Sequence, residues 1–342
     1  MSGRWSEAVD RGDLDDCLRW VDDLAGGRQW DDLDTLRQRC RRAHERGHQL
    51  WPAASYAAHR LALEGPAALA ADVAQHDGAA FTIGPLWEVA ASSHTWDELA
   101  PHMEPGPITD LAAQERVLRG DAVERAGDEL PSELAAIEPS YLLATYHAEE
   151  VVVDGPPPPD FGPPHRLSRR PPPQLSDDAA ADAWRHVVAP WLVQSTGRLQ
   201  TSCVAGDAET AVAALVDGGA VALSPVGPGD ALLHLQWAGA SGGAHGRRRG
   251  GAVGRAAAWW MLATLLDVTT EWPLTAAELT AWGGELAWLA WRPERATTGW
   301  DLRLAVSDPQ TGRAWAVEAL DAGVDADPVD SDGVEPAAPG PA

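Results

Sequence analysis

The chain reads as a multidomain α+β protein. An N-terminal all-α helical array spans 1–150, a proline-rich linker 151–176, and an α+β domain 177–320, which ends in an antiparallel three-stranded meander; an acidic disordered tail follows over 321–342. Three observations predict this. Apolar residues recur at helical spacing, punctuated by Gly or Pro, up to about residue 147. Nine prolines crowd 154–176, a composition that favours extended chain and cannot build a core. Strict alternation comes near the C-terminus, where Trp300, Leu302, Leu304 and Val306 interleave with Asp301, Arg303, Ala305 and Ser307.

In chain order, Leu14, Cys17, Leu18, Val21 and Leu24 form one helical stripe that Gly26-Gly27 closes. Trp30, Leu33, Leu36, Cys40 and Ala43 form the next, with Gly47 placed to end it. Pro52 opens a helix through about Leu63, and Pro66 another through about Ala74. Thr95 with Glu98 has the spacing of a capping box. Helix is expected to persist to about 147. No fixed-period self-similarity names a repeat class.

Beyond the linker, helices are expected over 178–194, 207–216 and 247–266, and strands over 198–204 and 220–224. The run 231–237 reads either as a strand or as a helix capped by Asp230. The meander is expected at 285–291, 300–307 and 314–320, with Asp308-Pro309-Gln310-Thr311-Gly312 turning between the last two strands. Parity puts Trp288 and Trp291 on opposite faces of their strand. The tail carries six acids and no base, the composition of disordered chain.

Composition bounds the chemistry. Lysine and asparagine are absent, which removes Schiff-base, Walker-type and kinase-type lysines and N-glycosylation alike. A formal charge of -25 argues against nucleic-acid and anionic-membrane partners. Cys17, Cys40 and Cys203 lack paired metal spacing and read as buried reduced thiols of a cytoplasmic protein. No signal-like segment opens the chain, and no 18-residue uncharged apolar run occurs.

Three motifs carry candidate chemistry. His44-Glu45-Arg46-Gly47-His48 spells H-E-x-x-H, which on a continuous helix sets two imidazoles on one face for Zn²⁺, with Glu45 as general base. His59 or Glu64 from the next helix would supply the third ligand. Gly47 within the motif and Pro52 just beyond it oppose that geometry, as do Arg42 and Arg46 beside the ligands. Gly239-Ala240-Ser241-Gly242-Gly243 matches the nucleophile elbow G-x-S-x-G, yet His245 is the last histidine, so the downstream acid-then-histidine order fails. Arg247, Arg248, Arg249 and Arg255 concentrate positive charge beside a Gly-rich segment and a helix start, where a phosphate or carboxylate could bind. Glycines 242, 246, 250 and 254 recur at four-residue spacing, giving any helix there a smooth ridge.

The runs QLWPAASYAAHRLALEGP, FTIGPLWEVAASSHTW, SGGAHGRRRGGAVGR and TGWDLRLAVSDPQTGRAWAV resemble those of uncharacterised actinomycete proteins. The resemblance covers most of the chain and implies no activity, cofactor or catalytic residue. The leading expectation is a non-catalytic cytosolic interaction or accessory protein, with a protein partner, no nucleic acid, no membrane and no cofactor. The alternatives are a zinc-dependent hydrolase at His44, Glu45 and His48, and a small-anion-binding module at the 241–255 Gly/Arg segment.

Overall fold

The computed structural model describes residues 5–45, 47–77, 82–167, 173–216, 219–294 and 299–322, apart from the side chains of His44 and Glu45. Its N-terminal part holds eight α-helices among the described residues: α1 (Trp5–Arg11), α2 (Leu14–Gly26), α3 (Trp30–Glu45), α4 (Trp51–Glu64), α5 (Ala67–His76), α6 (Leu86–Ser93), α7 (Trp96–Leu99) and α8 (Pro107–Leu118). The expected stripes are the buried faces. Cys17, Val21 and Leu24 of α2 meet Leu33, Leu36 and Cys40 of α3 in one core. The ends carry the predicted signals. Asp13 accepts the Asp16 N–H ahead of α2, and Glu98 accepts both N–H and O–H of Thr95 ahead of α7.

Helix does not persist to 147. From residue 119 to 144 the described chain has neither helix nor strand, in a stretch holding Gly120, Gly127, Pro131 and Pro139. It is nonetheless packed: Leu130 and Ala135 are buried in the core of the C-terminal half. A short ribbon comes next, β1 (Thr145–Tyr146) paired antiparallel with β2 (Val151–Val152).

The proline-rich segment is extended, as its composition dictates, but it is held against the protein rather than free. Pro156 and Pro159 are half-buried while Pro157 and Pro158 are exposed, the three-residue period of a polyproline helix laid on a surface. The Phe161 ring lies 4.5 Å below the Arg292 guanidinium. His165–Arg166 then joins the main sheet as edge strand β3.

The rest comprises α9 (Asp178–Val187), α10 (Ala189–Val193), β4 (Arg198–Ala205), α11 (Ala208–Leu215), β5 (Ala220–Val226), α12 (Pro228–Ala240), α13 (Gly251–Leu265), α14 (Ala276–Gly283), β6 (Ala287–Pro293), β7 (Trp300–Asp308) and β8 (Arg313–Asp321). The expected three-stranded meander, β6-β7-β8, is the centre of a six-stranded sheet ordered β3-β5-β6-β7-β8-β4, every neighbouring pair antiparallel. Helices α9, α12 and α13 cover one face, meeting Trp288, Ala290, Leu302, Leu304 and Val306. Helix α11 covers the other, meeting Trp291, Ala305, Ala314 and Ala316. Trp288 and Trp291 do lie on opposite faces, and both are buried.

Other expectations shift. Residues 231–237 are helix, begun where Asp230 accepts the Gly227 N–H. The helix expected at 247–266 starts at Gly251, so glycines 242 and 246 lie in loop, not on a helical ridge. The disordered tail does not begin at 321: Asp321 ends β8 fully buried, accepting the Ser195 hydroxyl and the Ala244 N–H. Residues 323–342 lie outside the described residues.

Helices α12 and α13 cross closely. A Cβ on Gly254 would sit 2.2 Å from the Gln236 carbonyl oxygen, whereas one on Gly26 would meet nothing within 4 Å. Denaturant unfolding therefore separates the two. Gly254→Ala is expected to cost about 1–3 kcal/mol by overpacking, and Gly26→Ala to leave stability unchanged or slightly raised.

Candidate functional site

The four arginines expected to share a ligand do not converge. Arg255 has no solvent exposure, and all five of its N–H donors have protein acceptors: Nε and Nη2 donate to Glu138, Nη1 to Gln114 and the Pro131 carbonyl, and Nη2 also to the Glu133 carbonyl. Glu138 in turn accepts from Tyr141, Trp259 and the Ala135 N–H. Arg249 donates to the His186 carbonyl at 2.9 Å. Arg247, whose backbone N–H donates to Gln194, lines a cavity of about 400 Å³ with Arg248, Gly246 and residues 82–85.

Arg248 anchors the second ionic cluster. Its Nε and Nη2 grip Glu88 bidentately at 2.9 and 2.7 Å. Glu88 projects from α6, is fully buried, and also accepts from Tyr146 Oη at 2.6 Å and the Gly251 N–H at 2.9 Å. Beside it Glu115 of α8, equally buried, accepts the Ala252 N–H at 3.2 Å and is paired with Arg119 at 2.9 Å. Two carboxylates thus receive the first N–H groups of α13, where the helix dipole favours negative charge. Gly250 makes the entry possible: its φ is +101°, and a Cβ there would meet the Trp87 ring at 2.4 Å.

The two carboxyls titrate apart. Both lose hydration on burial, but the Arg248 guanidinium and the bonds from Tyr146 and Gly251 hold Glu88 below the usual carboxylate range. Burial, then the Glu88 charge, pushes Glu115 up to about 7. Burial and the neighbouring Glu88 charge raise the Tyr146 phenol well above its ordinary value.

The H-E-x-x-H run does not continue as helix. Helix α3 ends at Glu45, Gly47 has φ +97°, and the His48 N–H turns back to the Ala43 carbonyl at 3.0 Å. His48 is exposed in the loop. The side chains of His44 and Glu45 lie outside the described parts of the chain. His59 is buried, with Nε2 donating to the His147 carbonyl at 2.7 Å, and Glu64 is paired with Arg60. Among the described residues, no three His, Cys, Asp or Glu side chains gather as metal ligands. Ser241 is no elbow: it comes after a helix rather than a strand, is buried, accepts from Trp191 Nε1 and donates to the Ala238 carbonyl.

A second opening, of about 380 Å³, lies where β6 and β7 part. Their mutual ladder runs from Ala287↔Ser307 to Ala290↔Leu304 and stops. Both strands continue, however, β6 paired with β5 as far as Pro293 and β7 with β8 from Trp300. The lining comes from both sheet faces, with Ala290 from the α12 side and Trp291 from the α11 side, so the cleft enters the gap itself. Asp301 and Arg303 line it from β7, His234 and Trp237 from α12, and the proline-rich strap closes it with Pro156, Pro159 and Phe161. Trp237 stacks on Trp300 at 4.8 Å.

The sequence reading missed Glu88, Glu115, Glu138, Tyr146 and the cleft. Glu88 left one signal, a single acid inside the apolar run Leu86-Trp87-Glu88-Val89-Ala90. Its partner lies 160 residues away, beyond any local pattern.

An α+β protein in which buried ion pairs join the first 150 residues to α13 and the loop before it is thus defined. Residues 15–323 match the model of a family of unknown function (DUF6183), and the chain belongs to that family. No curated protein and no solved structure matches it. No helix among the described residues is long and apolar enough to cross a membrane.

Glu115 gives the fold a pH dependence near neutrality. Its folded value, about 7, exceeds the ordinary 4.5, so its contribution is fully present below about 4.5 and is lost as pH rises through about 7. Urea unfolding of wild type against Glu115→Gln across pH 5–8 is expected to show the variant gaining relative stability as pH rises, by at most about 3 kcal/mol. Curves that stay parallel across that range would contradict the assignment.

Proposed function

We propose that the protein is a non-catalytic cytoplasmic interaction module that takes an extended segment of a protein partner into the cleft between β6 and β7. The observation that carries this reading is the parting of two strands that both continue beyond their shared ladder. A sheet opened in this way offers strand edges to an incoming backbone, with pockets beside them for alternate side chains. The walls suit such a guest. Trp237, Trp291 and Phe161 supply apolar contact, while the exposed Arg292 and Asp301 supply polar ends. The strap supports the reading too, since Pro156–Pro159 already lies extended along this surface. The helical array adds scaffold, and the buried acids elsewhere are occupied with protein donors.

Panning a displayed library of linear peptides against the full chain tests this. Selected peptides are expected to quench tryptophan fluorescence and slow amide exchange in 291–292 and 300–303. Trp237→Ala is expected to weaken them by roughly tenfold or more while retaining the native circular dichroism. Selection of no peptide, or of peptides indifferent to Trp237, would remove the reading.

A small-anion site is the second reading, supported by the cavity at 82–85 and 246–248, which Arg247 lines beside the Glu88-bound Arg248. Replacing chloride by phosphate at matched ionic strength is then expected to raise the melting temperature of wild type but not of Arg247→Ala. Equal melting in both salts would count against it.

A further inference from the structure

We propose that Cys17 and Cys40 form a peroxide-oxidisable dithiol that closes into a disulfide across the α2–α3 hairpin. Helices α2 and α3 run antiparallel through the short turn between Gly26 and Trp30. Cys17 lies nine residues before the end of α2, and Cys40 ten residues after the start of α3, so the two occupy facing positions. Both have zero exposure and belong to one core cluster. Both are free, and their thiols interact directly. Facing positions in a packed hairpin suit the roughly 4.4–6.8 Å Cα separation that a disulfide needs. Cys203, on β4 in the other half of the molecule, is a built-in control.

The thiols are not equivalent. Cys17 lies near the start of α2, where the helix dipole favours a thiolate, and contact with Cys40 lowers its pKa against burial and the charges of Asp13 and Asp16. Contact with Cys17, together with burial, pushes Cys40 up. The charged groups facing the pair are Asp13, Asp16 and Arg11 at Cys17 and Arg39 at Cys40. Its place at the N-terminal end of α2 makes Cys17 the thiol that attacks the peroxide. Its thiolate sulfur takes one peroxide oxygen, the O–O bond breaks, hydroxide leaves, and a sulfenic acid remains. The Cys40 thiol then attacks that sulfur. The S–O bond breaks, the thiol proton goes to the departing hydroxide, and water leaves as the S–S bond forms. Two electrons pass from the sulfurs to hydrogen peroxide. Because both sulfurs are sealed in the core, the reaction awaits local opening of the hairpin and is slower than at an exposed thiol.

The test uses the full reduced chain, treated with hydrogen peroxide, alkylated in denaturant and digested with trypsin without reductant. The expected product joins peptide 12–19 to peptide 40–41, with Cys203 fully alkylated and the link removed by dithiothreitol. In Cys40→Ser, a dimedone adduct is expected at Cys17 in excess of that in wild type. Full alkylation of all three cysteines after peroxide would overturn the proposal. So would sulfinic acid at Cys17 without a cross-link, or links to Cys203 as abundant as the 17–40 link. If Cys40→Ser does not fold, the wild-type peptide map decides alone.

Discussion

The need to partner buried charge where α13 meets the helical array governs the whole assembly. Glu88 and Glu138 are both removed from water, and each is matched by an arginine of the Gly/Arg segment, Arg248 and Arg255. A desolvated carboxylate without such a partner costs several kcal/mol, so loss of either arginine while the junction stays packed would strand a buried charge. Such pairs are weak sources of net stability but strict about register. They hold α13 at one height against α6 and α8.

The height of α13 in turn positions the sheet domain. With its N-terminus fastened to Glu88 and Glu115, α13 lies along α12 at the Gly239–Gly254 approach and, with α9, covers one sheet face. The irregular stretch 119–144 serves the same junction, because its Leu130 and Ala135 enter the C-terminal core while Glu138 and Tyr141 complete the Arg255 cluster. It is packing, not connection. The strap plays a similar part on the sheet side, where the fixed φ of its prolines gives a straight extended chain that walls the cleft.

Local physics was legible in the sequence, and long-range pairing was not. The stripes through Leu14–Leu24 and Trp30–Ala43 became α2 and α3, and the alternation at 300–307 became β7, because each depends only on neighbours in the chain. Gly47 ended its helix as its conformational preference implied. By contrast, the sheet order inserts β5 and β4 on either side of the meander, a matter of crossovers that no periodicity records. The 231–237 ambiguity was real, since a short apolar run fits helix and strand alike, and Asp230 resolved it by serving the helix start. The proline-rich stretch misled for a related reason: composition predicts an extended backbone but not what that backbone lies against.

The arginines carry the last step. With 51 acids to 26 basic residues, nearly any arginine that folds inward can find a carboxylate. Arg37 binds Asp34 and Asp77, Arg60 binds Asp22 and Glu64, and Arg303 bridges Asp301 and Glu318. These contacts use the planar fork of the guanidinium, which meets two acceptors at once, whereas an ammonium is a point charge with three donors. Arg255 makes the case sharpest, for no lysine could satisfy five acceptors spread over Gln114, Pro131, Glu133 and Glu138. The density of arginine that suggested a ligand site at 247–255 is therefore largely internal bracing. A positive patch in the sequence of an acidic protein says that charge will be neutralised there, and the fold decides whether by a guest or by the chain itself.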